Sequence, residues 1–442
     1  MTMTKNRNLA LGASIILLAA ALSISGNYLP KGMTLLPTNP KEVVEEVWQI
    51  VNYSYVDGTF NKKDWNAIRK KYVINANYKT NTEAHQAVRN MLKELDDPYT
   101  RFMDKKDFTE MQSDNSGKLL GVGLQLTQDE KTKQIVVVAP IDDTPAAKAG
   151  IIAKDVILKI DGKSTKGLDL NQAVQLMRGE EGTSVVLTVQ HGEKIVEHKL
   201  RRQQIELHRV KAEHRPNELG GVGYIRLNQF SANATEEMRT AIKQMEAKKV
   251  GGYVLDLRSN PGGLLYGAID IAKMWLNQGT IVSTRNRSGG CDDQSTDCKQ
   301  IADGTALTNK PLVVLVDGGS ASSSEILSGA LQDNKRAQLV GSKTFGKGLV
   351  QSVRPLHDGS GLAVTTAKYF TPSGKDINKQ GIKPDVDVEL SKEDIRLLMQ
   401  ERQRVATKND PQYAQALITL QSQIAAQNAA PTAIAKPTTA VN

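Results

Sequence analysis

The sequence predicts a multi-domain α/β protein, with an N-terminal helical domain, a β-rich domain, and an α/β core whose helices pack on a mixed sheet. Three observations lead to this prediction. Residues 39–113 place apolar side chains at helical spacing, residues 114–205 form short alternating runs between Gly and Asp turns, and residues 206–390 alternate apolar strands with helices. A hydrophobic content of 39% and a charged content of 24% exclude a polytopic membrane protein and a disordered chain.

The first 30 residues carry the pattern of an export signal. Lys5 and Arg7 precede a 16-residue apolar run at 9–24, which ends in small residues. As a helix this run would measure roughly 24 Å, against roughly 30 Å for the hydrocarbon core of a bilayer. We therefore predict export. Residues 1–30 are either a cleaved signal peptide or an N-terminal anchor through which the protein would associate with a membrane.

The chain has two cysteines, Cys291 and Cys298, in and beside a polar, Gly- and Asp-rich loop. Two cysteines exclude a disulfide scaffold and a four-cysteine zinc site. In an oxidising compartment the pair could close one small disulfide loop, and two free surface thiols are the alternative. We expect neither cysteine to be catalytic, because neither has a histidine nearby in the sequence.

The β-rich segment contains an ordered set of glycine motifs. A Gly-Val-Gly motif at 121–123 starts a strand predicted at 121–126. A Pro-Ala-Ala-Lys-Ala-Gly block at 145–150 follows, and then a strand predicted at 156–160 that leads into an Asp-Gly turn. This order resembles a PDZ domain, in which a loop points backbone N–H groups at a C-terminal carboxylate and the peptide pairs with the next strand. Because the first motif opens a strand and not a helix, it is no dinucleotide fingerprint. The predicted peptide-binding residues are Leu120, Gly121, Val122, Gly123 and Leu124.

A serine-rich block follows an apolar strand at 312–316. Asp317 and a Gly-Gly turn lead into four serines between positions 320 and 324. The α/β hydrolases expose their nucleophile in this way, on a serine that follows a strand and a sharp turn and starts a helix. The N–H groups at the start of that helix can stabilise an oxyanion. Serines also cap helices, and Glu325 suits a first helical turn. The local sequence leaves both interpretations open.

A second glycine-rich block, residues 341–351, nearly matches a phosphate-binding P-loop. Gly348 stands where that loop requires Ser or Thr, and a strand-like run follows where it requires a helix, so we exclude nucleotide binding. Lys347 can instead serve as a general base if burial and positive neighbours lower its pKa. None of the six histidines lies in a strand-end glycine motif, so we interpret them as structural or solvated. A Ser–Lys pair can replace a histidine triad.

In this order the motifs resemble those of the C-terminal processing peptidases, also called tail-specific proteases. The resemblance covers nearly all of residues 39–390 and includes Leu-Asp-Asp-Pro-Tyr-Thr-Arg-Phe at 95–102 and Asp-Leu-Arg-Ser-Asn-Pro-Gly-Gly at 256–263. It implies that Ser322 is the nucleophile, Lys347 the base and Gln351 the residue that orients the lysine. Four positions apart, Lys347 and Gln351 would share one face of a strand.

The resemblance implies further site residues. The backbone N–H groups of Gly262 or Gly263, together with that of Ser323, would form the oxyanion hole. Ser323 replaces the usual Ala of the family, which should matter little because only its N–H is needed. Arg178 matches an arginine that couples the PDZ domain to the protease.

The function implied by the resemblance is that of an exported serine endopeptidase, in the periplasm or, in a photosynthetic organism, the thylakoid lumen. The PDZ domain would hold protein substrates by exposed apolar C-termini, and cleavage would follow near that end. We expect no metal or other cofactor, no nucleotide and no nucleic acid, and the net charge of +9 carries no weight in this assignment. The alternative is a PDZ adaptor with an inactive core, against which the joint presence of Ser322, Lys347 and Gln351 argues. Helices predicted at 391–428 could mediate a homo-oligomer, and residues 429–442 are predicted to be a disordered tail.

Overall fold

The computed structural model describes residues 39–129, 131–216, 218–287 and 298–429. The predicted signal or anchor at 1–30 lies outside these residues, as does the predicted tail apart from Ala429. Within the described residues, no helix is long and apolar enough to cross a membrane. The described elements form the predicted combination of helices, a β-rich region and an α/β core, so the predicted fold class is confirmed.

The N-terminal region consists mainly of short amphipathic helices. Thr80 accepts a hydrogen bond from Glu83 N and caps the third helix near its predicted start. Val47 of the first helix and Val88 of the third lie in one buried cluster. The elements are α1 (Pro40–Ser54), α2 (Trp65–Arg69) with a π-helical turn (Lys70–Ile74), α3 (Asn81–Lys93), β1 (Arg101–Met103) and α4 (Lys105–Ser116).

Strand β1 departs from the sequence prediction. We predicted helices throughout 39–113, but β1 pairs antiparallel with β18 (Gly361–Phe370), and Phe102 lies opposite Leu362. Three residues are too few to show a strand period, and the partner strand is distant in sequence. The pairing attaches the helical region to the sheet that follows the predicted catalytic lysine.

The β-rich region is an antiparallel sheet in the order β3-β4-β5-β7-β8, with β6 paired to β5 and a separate β2–β9 ribbon. The predicted single strand from Gly121 to Leu126 is split in two, because Gly123 has a φ of 84° and breaks the extended backbone. The elements are β2 (Lys118–Gly121), β3 (Leu124–Gln128), β4 (Ile135–Pro140), α5 (Pro145–Lys148), β5 (Val156–Ile160), β6 (Lys163–Ser164), α6 (Leu170–Met177), β7 (Ser184–His191), β8 (Lys194–Arg201) and β9 (Gln203–Glu206).

The α/β core contains a six-stranded sheet in the order β10-β11-β12-β15-β16-β19. Strand β10 is antiparallel to β11 and the remaining neighbours are parallel, so the sheet is mixed as predicted. The elements are β10 (Val210–Arg215), β11 (Val222–Leu227), α7 (Ala234–Ala247), β12 (Gly252–Asp256), α8 (Leu265–Lys273), β13 (Thr280–Asn286), β14 (Lys299–Ile301), β15 (Leu312–Val316), α9 (Ser323–Asp333), β16 (Gln338–Gly341), β17 (Leu349–Pro355), β18 and β19 (Val386–Asp387).

Both faces of this sheet are covered. Leu255 and Val314 point into a cluster with helices α7, α8 and α9, while Val254 and Val313 belong to a second cluster on the other face. The C-terminal segment comprises α10 (Lys392–Gln400), a 3₁₀ turn (Arg402–Arg404) and α11 (Pro411–Ala429). Its residues between Val405 and Ile424, most of them on α11, cover the second face. The parallel neighbours β12 and β15 end at the same edge, where α/β sheets bind their ligands.

A buried ion pair ties the C-terminal segment to this edge. Arg258, just after β12, lies 2.9 Å from Asp410 and 2.8 Å from Asp256, and all three side chains are buried. Burying charges is tolerated when each is paired in this way. The loop after β12 therefore starts from a fixed residue.

Candidate active site

Two loops meet at the carboxyl ends of β12 and β15. Gly262 lies on the first loop and Ser322 on the second. A Cβ added to Gly262 would lie 2.9 Å from Ser322 Cβ and 3.0 Å from Ser323 N, so only glycine fits between them. Gly262 has a φ of 101°, which also favours glycine. The two predicted motifs are thus in direct contact.

Ser322 occupies a strained position at the start of α9. Its φ of 55° and ψ of −114° are unusual for a residue with a side chain. Such strain persists where the surroundings fix it, and it is common at reactive positions. The predicted strand, turn and helix are present around this serine, as in a nucleophile elbow.

Two backbone N–H groups beside Ser322 make no hydrogen bond to any residue that the structure describes. Within the described residues, neither Gly263 N nor Ser323 N donates a hydrogen bond. Gly262 N differs, because it donates to the buried Asn260 side chain at 2.9 Å. Of the two glycines predicted for the oxyanion hole, the geometry favours Gly263.

Lys347 lies in the segment between β16 and β17. Its backbone N–H donates to Glu325 at 2.9 Å, and its Nζ lies 5.0 Å from the centre of the Tyr99 ring. Burial lowers the pKa of the Lys347 amine, and the positive charge of Arg101 lowers it further. The carboxylates of Asp97 and Glu325 act in the opposite direction, but the net shift is downward.

Gln351 is placed differently from the prediction. We expected Lys347 and Gln351 on one strand face, but β17 begins only at Leu349, and a β-bulge separates Val350 from Gln351. The alternation argument is therefore wrong at this position, and the role of Gln351 in orienting Lys347 stays a prediction. Gln351 pairs with Thr365 of β18, and its Nε2 is buried without a hydrogen-bond partner in the described part of the chain.

The N-terminal region contributes side chains that the sequence analysis gave no role at the site. Asp97 accepts hydrogen bonds from Thr100 and Thr365, each at 2.7 Å, which fixes its carboxylate beside β18. Tyr99 and Arg101, in the same motif, are the neighbours of Lys347 described above. The only available signal was the motif at 95–102, and nothing in it indicates which side chains face the lysine.

The predicted peptide-binding residues surround the start of β3. Leu120 and Gly121 end β2, Val122 is buried, and Leu124 begins β3. Among the described strands β3 is at the edge of its sheet, so one side of its backbone is open to an added strand. A Cβ on Gly123 would come within 2.2 Å of Thr144 Oγ1, so this turn requires glycine.

Arg178 ends α6 and lies 3.0 Å from Glu110 of α4. Gln175 of α6 donates to the same carboxylate. At its far end α4 contacts the α/β core, where Asn115 O accepts a hydrogen bond from Ala232 N. The Arg178 ion pair thus joins the β-rich region to α4, and a coupling role for it stays a prediction.

The remaining polar candidates lie elsewhere. Cys298 is described and is not a free thiol, but Cys291 lies outside the described residues, so their pairing stays a prediction. Within the described residues no cluster of three or more His, Cys, Asp or Glu side chains could hold a metal ion. Four histidines, His85, His191, His208 and His357, lie within 2.9 Å of a carboxylate.

The fold and the contacts between these loops define a serine peptidase, and comparison with known proteins identifies its family. Residues 221–388 match the model of peptidase family S41, and residues 136–191 match that of the PDZ domain. The carboxyl-terminal-processing protease of Synechocystis sp. is 46% identical over 378 residues, which cover 84% of this chain and 86% of that protein. Carboxyl-terminal-processing peptidase 2 of Arabidopsis thaliana, a chloroplastic protein, is 38% identical over 84% of this chain and 72% of its own length.

A solved structure agrees with these relatives. The photosystem II D1 C-terminal processing protease is 36% identical, with a TM-score of 0.54 over 80% of this chain and 94% of that one. The chain therefore belongs to peptidase family S41, among the carboxyl-terminal-processing proteases. The resemblance inferred from the sequence motifs is confirmed.

Proposed function

We propose that this peptidase is exported, captures the free C-terminus of a protein substrate on β3, and cleaves near that end through a Ser322–Lys347 pair. One observation carries the proposal. A single carboxylate oxygen, Glu325 Oε2, accepts hydrogen bonds from Ser322 N and Lys347 N, each at 2.9 Å. The two nitrogens are therefore at most about 5.8 Å apart, so the residues are neighbours although they are distant in sequence.

In the proposed reaction, neutral Lys347 accepts the proton of the Ser322 hydroxyl as the Ser322 oxygen bonds to the substrate carbonyl carbon. The N–H groups of Gly263 and Ser323 stabilise the oxyanion. The C–N bond then breaks, and the leaving amine takes the proton from Lys347. Water, activated by the Lys347 amine, then hydrolyses the acyl-enzyme and releases the new C-terminus.

The proposed substrates are exported proteins with exposed apolar C-termini. The open edge of β3 beside Gly123 supports capture of a terminal strand. The N-terminal pattern of residues 1–30 supports export, and the bacterial and chloroplastic relatives are consistent with a periplasm or a thylakoid lumen. The solved relative is a photosystem II D1 C-terminal processing protease, which makes a reaction-centre precursor a candidate substrate if the host is photosynthetic.

A pair of peptides tests the capture of the C-terminus. We expect a fluorogenic peptide with an apolar, free C-terminus to have a KM about 10- to 100-fold lower than its C-terminal amide, because the amide loses charge-assisted hydrogen bonds to backbone N–H groups. The kcat should change little. Steady-state kinetics of both peptides give the comparison.

Two glycine variants provide the matched control. Gly123→Ala, which collides with Thr144, should raise the KM of the free-acid peptide toward that of the amide. Gly192→Ala carries the same positive-φ strain in a hairpin with nothing within 4 Å, and it should leave both KM values unchanged. Equal KM values for acid and amide with the native enzyme would refute C-terminal capture.

A further inference from the structure

The Glu325 carboxylate is fully buried between the two predicted catalytic segments. Its Oε2 accepts from Ser322 N and Lys347 N, as described above. Its Oε1 accepts from Gly346 N at 2.8 Å and from Thr344 Oγ1 at 2.6 Å. Ordinary helix capping explains only the bond to Ser322 N. The other three donors belong to the segment that carries Lys347.

The Tyr369 hydroxyl makes the complementary contacts on the carbonyl side. Its single O–H proton lies between two backbone acceptors, Ser322 O at 3.2 Å and Lys347 O, and is shared by them. Tyr369 is buried on β18, and burial raises the pKa of its hydroxyl, so this group remains a proton donor. The carboxylate thus joins the N–H groups of Ser322 and Lys347, and the phenol joins their C=O groups.

We propose that Glu325 and Tyr369 form a two-sided backbone clamp that sets the position of Ser322 relative to Lys347 for the peptidase reaction. This inference rests on the proposed function, in which those two residues react. Both side chains act through the backbone of other residues and are positioning residues. Two bridges on opposite sides fix the separation of the two segments and also their relative rotation, which one bridge would leave free.

The energetics agree with a positioning role. A buried carboxylate is costly unless its oxygens are satisfied, and here four donors satisfy both of them. The strained backbone of Ser322 also needs surroundings that hold it. The clamp holds Ser322 at its N–H through Glu325 and at its C=O through Tyr369, and the C=O also accepts from the helix N–H groups of Glu325 and Ile326.

Tyr369→Phe is the sharpest test, because it removes one hydroxyl and keeps the buried ring. We expect kcat to fall about 10- to 100-fold with KM nearly unchanged, since small misplacements of reacting groups cost that much. Glu325→Gln should lower kcat by about 100-fold or more, because an amide nitrogen must face backbone N–H donors. The readouts are kcat and KM for the fluorogenic peptide, with the thermal unfolding midpoint of each variant.

Tyr253→Phe is the matched control. It removes another buried hydroxyl, which donates to Glu246 at 2.6 Å at the start of β12, the opposite end of that strand from the site. Its unfolding midpoint should fall about as much as that of Tyr369→Phe, while its kcat stays native. If Tyr369→Phe and Tyr253→Phe have the same kcat, the clamp is refuted.

The clamp and the proposed function can fail separately. If Ser322→Ala is inactive and Tyr369→Phe cleaves with native kcat, the clamp alone is wrong. If Ser322→Ala cleaves normally, the proposed function is wrong and the clamp falls with it. A kcat loss in Tyr369→Phe that exceeds the loss in Tyr253→Phe at equal stability supports the clamp.

Discussion

Replacing Ser322 by alanine is expected to abolish peptide cleavage, with a loss in kcat of at least about 10⁴-fold, while the protein stays folded. The change removes only the hydroxyl that is proposed to attack the substrate. The backbone contacts of residue 322 to Glu325 and Tyr369 remain available to alanine. Cleavage of the fluorogenic free-acid peptide, followed together with the thermal unfolding midpoint, measures the effect.

Ser328→Ala is the matched control for this variant. Ser328 lies on the same helix, is fully buried, and its hydroxyl has no hydrogen-bond partner among the described residues. Its loss should leave both kcat and stability close to native values. If Ser322→Ala retains more than a small part of the native rate, another residue must be the nucleophile.

Replacing Lys347 by methionine is expected to lower kcat about 10³-fold or more, because it keeps the apolar stem of the side chain but removes the amine that is the proposed base. The native enzyme should also show a characteristic pH dependence. In the proposed mechanism the active form is the neutral amine, which predominates above the pKa of Lys347, so kcat/KM should rise with pH through that pKa. Because burial lowers this pKa, the rise should lie below the usual range of lysine.

Replacing either of two neighbours of Lys347 should shift the pH at which kcat/KM rises, and the two shifts should be in opposite directions. Arg101 lowers the pKa of Lys347, so Arg101→Gln should shift the rise to higher pH and lower the activity at neutral pH. Asp97 raises the pKa, so Asp97→Asn should shift the rise to lower pH. Arg101 is exposed, and added salt should therefore reduce its effect. Shifts in the same direction, or a profile that Lys347→Met leaves unchanged, would exclude Lys347 as the base.

The sequence predicted the parts of the fold that depend on local pattern. The strand at 312–316 and the helix that begins at Ser323 lie where the apolar run, the Gly-Gly turn and the serines indicated. The predicted strand at 156–160 is also found at those residues. In each case the period and the turn residues are sufficient, because neighbours in sequence decide the conformation.

The features that the sequence did not reveal depend on contacts between distant residues. Strand β1 forms only because β18 is beside it. Tyr369 lies in β18, and no local pattern shows that its hydroxyl reaches the backbone carbonyls of Ser322 and Lys347. Gln351 was assigned to a strand face by counting residues, and the bulge before it makes such counting fail.

Glu325 shows the same limit within a recognised motif. Its position in the first turn of α9 is typical of helix capping, and that contact is present. The bonds to Thr344, Gly346 and Lys347 depend on where the chain returns after β16. A local pattern can therefore identify a residue and still miss most of what it does.

The most direct test of the central claim, that cleavage passes through an acyl-enzyme, is a partition experiment with hydroxylamine. Two peptides with the same acyl part and different leaving parts are cleaved in its presence, and the hydroxamate and carboxylate products are quantified by mass spectrometry. A common acyl-enzyme predicts one product ratio for both peptides, because the leaving part has departed before the ratio is decided. Cleavage without hydroxamate, or a ratio that depends on the leaving part, would contradict the account.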